Sequence, residues 1–189
     1  MTTDTYGDDA VKLQATEVNA EGDSYTAIDI ASGRVDWSAF NGVTFWARND
    51  SDKEVSFNFE IDCRHEGREI KDRFNIKQGH RFWLYDVNTG KTSIYMTKPV
   101  ATLPVGFEGW VRIPFTAFDR ASWSNNGLVK ADFMSAGTVA TYLAITIHAP
   151  TYRYLPFSVN KIGAYGTTPI WESAYVPGTP ILGLMDLED

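Results

Sequence analysis

The sequence contains few of the residues from which most metal and nucleophile sites are built. Its 189 residues include one cysteine, Cys63, and three histidines. A lone cysteine can form neither an intramolecular disulfide nor a multi-cysteine metal site. His65-Glu66 has no second histidine at the spacing of a zinc-protease helix, and no Gly-x-Ser-x-Gly segment supports acyl transfer. The sequence therefore predicts no catalytic residues.

Long apolar runs and an excess of positive charge are also absent. No run of about 18 apolar residues occurs, and the first residues lack the basic and apolar regions of a secretory signal. Lysine and arginine total 17 against 24 aspartate and glutamate residues, which gives a formal net charge of −7. Because nucleic-acid surfaces need clustered Lys and Arg, we expect no nucleic-acid binding. Without a long apolar run we also expect no membrane binding, and we expect the chain to be a soluble, monomeric piece of a longer protein.

Aromatic residues are abundant, with 6 Trp, 9 Tyr and 11 Phe. A core of this size is more usually filled by Leu, Ile and Val. We therefore expect some of the rings to lie at the surface.

Short alternating runs bounded by Gly, Asn, Asp and Pro recur along the chain. The clearest is residues 55–62, where apolar odd positions alternate with polar even positions, as in a half-buried strand. We expect it to form a hairpin with residues 43–48, through the polar turn at 49–53. We also expect Asn88-Thr89-Gly90 to join two further strands, at 81–86 and 92–97. Helical periodicity is almost absent, and only residues 131–140 are compatible with a helical turn.

These patterns predict one all-β domain, an antiparallel two-sheet β-sandwich of the jelly-roll type with about eight to ten strands. We place it at residues 1–167. Three of the eight prolines follow, so we expect residues 168–189 to be an extended tail or a linker remnant.

Three blocks of sequence resemble a known family. They are residues 40–49 (FNGVTFWARN), 106–118 (GFEGWVRIPFTAF) and 157–166 (FSVNKIGAYG). Together they resemble the jelly-roll carbohydrate-binding modules of bacterial plant-cell-wall-degrading enzymes of the cellulosomal type, over roughly residues 10–167.

The resemblance implies a non-catalytic, extracellular module that is covalently linked to a parent enzyme or scaffold protein. Its ligand would be a β-glucan such as cellulose, mixed-linkage glucan or xyloglucan, with aromatic rings stacked on the sugar rings. The family also implies a structural calcium. Asn160 stands where many such modules have an aspartate, so no calcium ligands are assigned, and no other cofactor is implied.

The candidate binding residues are those that alternation or turn-rich sequence places outside the core. Arg81, Trp83 and Tyr85 alternate with two apolar neighbours in one strand and share the outer face if those neighbours face the core, although either face could be the inner one. Tyr142 opposes an apolar set in another strand. Trp123 lies in a polar, turn-rich segment. The expected ligand-binding residues are Trp83, Tyr85, Trp123, Tyr142, Tyr152 and Tyr154, with Arg81 and Asp86 as polar partners. The expected scaffold rings are Phe45, Trp46, Phe57, Phe59, Trp110, Phe115 and Phe118.

Two other functions remain open at this point. A small glycoside hydrolase or polysaccharide lyase on the same fold would use a carboxylate pair such as Glu60 and Asp62. That pair would approach a sugar from one side only, whereas hydrolase carboxylates flank the scissile bond. A protein-binding adhesion sandwich would use the same exposed rings as interaction hot spots.

Overall fold

The computed structural model describes residues 2–13, 27–30, 34–68, 70–98, 100–148 and 156–166. Tyr152, Tyr154 and the tail at 168–189 lie outside these ranges. The strands within them are β1 (Thr2–Thr3), β2 (Asp9–Leu13), β3 (Ala27–Ile30), β4 (Gly42–Asn49), β5 (Val55–His65), β6 (Ile70–Ile76), β7 (Arg81–Asp86), β8 (Lys91–Met96), β9 (Ala101–Leu103), β10 (Glu108–Pro114), β11 (Phe118–Arg120), β12 (Thr138–His148) and β13 (Phe157–Tyr165).

Helical structure is confined to two single turns of 3₁₀ helix in the described part of the chain, Phe115–Ala117 and Lys130–Asp132. The helical turn expected at 131–140 is therefore only partly present, because β12 already begins at Thr138. Gly137, with a φ of +81°, precedes the strand. Across the same ranges, no helix has the length and apolar character needed to cross a membrane.

The strands form two antiparallel sheets. The first sheet has the order β1-β2-β13-β4-β10-β7-β8. The second has the order β11-β6-β5-β12-β3, with β9 also paired to β5. One large apolar core contains residues from both sheets, including Phe45 of β4 and Phe59 of β5, whose ring centres are 5.6 Å apart. This arrangement confirms the expected all-β, antiparallel two-sheet sandwich.

The expected hairpin between residues 43–48 and 55–62 is wrong. β4 pairs with β13 and β10 in the first sheet, whereas β5 pairs with β6, β12 and β9 in the second. The polar turn therefore carries the chain across the sandwich. The two strands lie in different sheets because their apolar faces pack against each other across the core. Phe45 of β4 and Phe57 of β5 make an edge-to-face contact there.

The hairpin of β7 and β8 is confirmed, with Asn88-Thr89-Gly90 in its loop. The Asp86 carboxylate accepts the backbone N–H groups of Asn88 and Thr89, at 2.8 and 3.2 Å. The backbone N–H of Gly90 donates to the Asp86 carbonyl, and Gly90 has a φ of +66°. Asp86 is thus held as a turn residue.

All seven expected scaffold rings are buried. Five of them are phenylalanines in the main core. Trp46 and Trp110 form a second cluster on the outer side of the first sheet. Their indole N–H groups donate to the hydroxyls of Thr5 and Tyr6, each at 3.1 Å. The N-terminal segment therefore covers these two rings.

Candidate functional site

The structure divides the predicted binding residues between two opposite surfaces of the sandwich. Arg81, Trp83 and Tyr85 lie on the outer side of the first sheet, because Phe82 and Leu84 between them are buried in the core. Tyr142 lies on the outer side of the second sheet, opposite Asp62 of β5. Trp123 lies beside it. The predicted residues therefore do not form one continuous site.

A group of polar and aromatic side chains lies together on the second sheet, and we call it the Arg73 face. Strands β6, β5 and β12 are neighbours there, and Arg73, Asp62 and Tyr142 lie in one cross-strand row. The neighbours of these residues along each strand, such as Ile61 and Phe74, point into the core. The Arg73 face consists of Glu60, Asp62, Lys71, Arg73, Trp123 and Tyr142.

Arg73 connects the charged groups of this face. Its Nε donates to Asp62 Oδ1 at 2.6 Å, and one terminal nitrogen donates to Glu60 Oε2 at 3.1 Å. Lys71 Nζ lies 2.9 Å from Asp62 Oδ2. The hydrogen bond with Asp62, together with the charges of Asp62 and Glu60, raises the pKa of Arg73 although partial burial opposes this. Two carboxylates and two cations cancel, so the face carries no net charge.

Two aromatic rings lie close to the guanidinium group. Its carbon lies 5.3 Å from the centre of the Trp123 ring and 4.9 Å from the centre of the Tyr142 ring, within cation–π range. The two ring centres are therefore no more than about 10 Å apart. Trp123 is 65% exposed, and Tyr142 is half-buried. The face thus offers two rings close to one guanidinium group.

The loop that carries Trp123 is fixed by a buried carboxylate. Asp72 of β6 accepts hydrogen bonds from the Ser124 hydroxyl at 2.7 Å and from the backbone N–H groups of Asn126 and Leu128, both at 2.8 Å. Burial alone would raise the pKa of Asp72, but these donors outweigh it and lower the pKa. The loop also pairs with β6 through the N–H of Ala121, which donates to the carbonyl of Arg73. Trp123 is therefore exposed on a loop that several hydrogen bonds attach to β6.

The outer surface of the first sheet is less open. Trp83 is half-buried between Ile94 of β8 and Arg112 of β10. Tyr85 packs against the Trp46 and Trp110 cluster. Arg81 is exposed, whereas the Asp86 carboxylate is occupied by its own turn.

The region around Asn160 already contains a cation that belongs to the chain. Asn160 donates an amide N–H to Asp4 Oδ2 at 3.3 Å, and the Lys161 ammonium lies 3.5 Å from the same oxygen and also contacts Asp8. Partial burial would lower the pKa of Lys161, but the two carboxylates outweigh it and raise the pKa. No group of three or more His, Cys, Asp or Glu side chains suited to a metal ion occurs in the described ranges. The structural calcium stays a prediction.

The sequence interpretation missed β6 and with it Arg73, Lys71 and Asp72. Ile70, Phe74 and Ile76 do alternate, and that pattern places Lys71 and Arg73 on the opposite, outer face. Asp72 occupies an inward position that alternation assigns to an apolar residue. Its hydrogen-bond donors lie more than 50 residues away in the chain, so the local pattern could not identify it.

Comparisons with known proteins find no match among protein-family models, curated proteins or solved structures.

Proposed function

We propose that the protein is a non-catalytic carbohydrate-binding module that holds a neutral β-glucan of the plant cell wall against the Arg73 face. The proposal rests on the exposure of Trp123: its indole is 65% exposed, on a loop that Asp72 holds by hydrogen bonds. A preorganised ring loses little freedom when a ligand binds. Its face is suited to the C–H groups on the faces of a sugar ring.

The polar groups beside Trp123 match the rest of a sugar ring. The hydroxyls on its rim both donate and accept hydrogen bonds, and the Arg73 face offers guanidinium donors and carboxylate acceptors side by side. Because the charges of Glu60, Asp62, Lys71 and Arg73 cancel, the face favours a neutral polymer over a uronic-acid polymer.

The arrangement of the two carboxylates supports binding rather than catalysis. Glu60 and Asp62 are both 6% exposed, lie on one strand and accept hydrogen bonds from the same guanidinium. Glycosidases place their two carboxyl groups on either side of the scissile bond. Glu60 and Asp62 serve to orient Arg73 beside Trp123 and Tyr142.

The wider setting follows from the sequence resemblance. The module would be monomeric and extracellular, and it would direct a linked parent enzyme or scaffold to its substrate. Single-site affinity would lie at about 10⁻³ to 10⁻⁶ M.

Affinity gel electrophoresis in soluble mixed-linkage glucan, xyloglucan, xylan and pectin tests the proposal. We expect selective retardation by a neutral β-glucan and a loss of affinity of about tenfold in Trp123→Ala, equivalent to about 1.4 kcal/mol. Trp83→Ala, on the opposite sheet, is the matched control and should keep wild-type mobility. Loss of retardation in Trp83→Ala alone would place the site on the first sheet, and free migration in every gel would reject glucan binding. Reducing ends released from the same glucans would show that the protein is an enzyme.

A further inference from the structure

Exposed hydrophobic side chains are concentrated at one edge of the first sheet. β8 ends the strand order of that sheet, and all six of its residues are exposed. The described residues have six exposed large hydrophobic side chains, and four of them lie on β8 or beside it: Ile94, Tyr95, Met96 and Val105. Natural sheets usually protect such edges with proline, bulges or several charges. β8 has Lys91 as its one charged residue and no proline.

A groove runs beside this edge on its inner side. Its apolar lining is Leu84 and Tyr95 of the hairpin and Pro104, Val105 and Phe107 of the loop between β9 and β10. The remaining lining residues are polar and belong to the hairpin: Asp86, Thr89, Lys91 and Ser93. Its volume is about 150 Å³, which is enough for one aromatic ring. A strand added to β8 would direct alternate side chains into this groove and the others toward Ile94 and Met96.

The charge of this region is opposite to that of the whole chain. Residues 77–98 contain Lys77, Arg81, Lys91 and Lys98 but only one acidic residue, Asp86. The Asp86 carboxylate is occupied by the N–H groups of its turn. In a chain with a net charge of −7, this hairpin is a basic region and is complementary to an acidic partner.

We infer that the β8 edge and its groove form a docking site for an extended segment of another protein, one with a central aromatic residue flanked by acidic residues. The segment adds to β8 as an antiparallel strand and places its aromatic ring beside Val105. A second copy of this chain fits less well, because antiparallel pairing of two β8 strands brings Lys91 of one copy close to Lys98 of the other. The site lies on the sheet opposite to the Arg73 face, so it does not depend on carbohydrate binding.

Fluorescence anisotropy of a labelled peptide, acetyl-Asp-Glu-Thr-Val-Phe-Val-Thr-Glu-Asp-amide, tests the inference on the full 189-residue chain. We expect saturable binding at peptide concentrations below about 1 mM. Ile94→Ser should weaken binding by about tenfold. Val129→Ser is the matched control, since Val129 is 55% and Ile94 60% exposed, and it should stay within about twofold of wild type.

Two further comparisons test strand addition and charge separately on folded protein. A peptide with proline in place of phenylalanine should not bind, because it cannot complete the strand pairing. The double variant Lys91→Glu, Lys98→Glu should lose the acidic peptide and gain a peptide whose acidic residues are replaced by lysine. The inference is overturned by an absence of binding at about 1 mM, by equal losses in Ile94→Ser and Val129→Ser, by binding of the proline peptide, or by concentration-dependent dimers that Ile94→Ser abolishes.

Discussion

Replacing Asp72 by asparagine should destabilise the protein and also weaken ligand binding, although Asp72 does not reach the Arg73 face. The amide nitrogen of the new side chain would take the place of the carboxylate oxygen that accepts the Leu128 N–H at 2.8 Å. A buried N–H without an acceptor costs about 1–3 kcal/mol. The bonds from Ser124 and from the Asn126 N–H lose their charge assistance, about 1 kcal/mol each.

Removal of the buried charge offsets part of this cost, because a neutral amide is less expensive to desolvate. We therefore expect the free energy of unfolding to fall by about 2–3 kcal/mol in urea denaturation. The Trp123 loop would lose its main anchor. The affinity for glucan should then fall toward that of Trp123→Ala even though the indole is still present.

The pH dependence of stability gives an independent measure of the same interaction. The pKa of Asp72 is lower in the folded chain than its unfolded value of about 3.9, so its contribution is present above that value. The contribution is lost as the pH falls through the folded pKa. Asp72→Asn should remove this part of the acid destabilisation, whereas Asp52→Asn, at an exposed turn position, should not. If the free energy of unfolding of Asp72→Asn lies within about 0.5 kcal/mol of the wild-type value and glucan binding is unchanged, the anchoring role of Asp72 is refuted.

Other predictions concern the scaffold. Lys161→Met should lower the free energy of unfolding by about 1–3 kcal/mol, because it leaves the buried Asp4 carboxylate without its ammonium partner; thermal unfolding measures this, and wild-type stability would contradict it. The predicted structural calcium requires that EDTA lower the wild-type melting temperature, and an unchanged melting temperature would contradict it. Cys63 should resist a thiol reagent until the protein unfolds, because its thiol is buried and burial raises its pKa; rapid labelling of native protein would contradict this. Gly109→Ala should destabilise the protein by more than about 2 kcal/mol in urea denaturation. Gly109 has a φ of +150°, and a Cβ at this position would collide with the carbonyl oxygen of Tyr85 on the neighbouring strand. Wild-type stability of this variant would show that β7 and β10 can move apart at no cost.

Alternation in the sequence was sufficient to predict the fold class and the direction of most side chains. It placed Phe57 and Phe59 in the core and Tyr142 outside, because the period of a strand links the identity of a residue directly to its face. It separated Trp83 from Phe82 and Leu84 but did not decide which of the two faces is the inner one. It could not assign strands to sheets. The same polar residues can form a turn between two strands of one sheet or a turn that crosses from one sheet to the other. The partners of β4 are β10 and β13, which are distant in the sequence, so the turn alone could not identify them.

The candidate site was predictable only in part. Trp123 and Tyr142 were identified, but nothing local links a loop tryptophan to a strand tyrosine. Arg73 brings them together. Asp72 fixes the loop through donors more than 50 residues away.

Contact between Trp123 on the Arg73 face and a neutral β-glucan can be measured from the indole N–H signals in a ¹⁵N NMR titration with mixed-linkage glucan. Six tryptophans give six signals, and Trp123→Ala and Trp83→Ala assign the two that matter. We predict that the Trp123 signal shifts and saturates while that of Trp83, on the opposite sheet, stays constant. A shift of the Trp83 signal with no change at Trp123, or no shift in any indole, would contradict glucan binding at the Arg73 face.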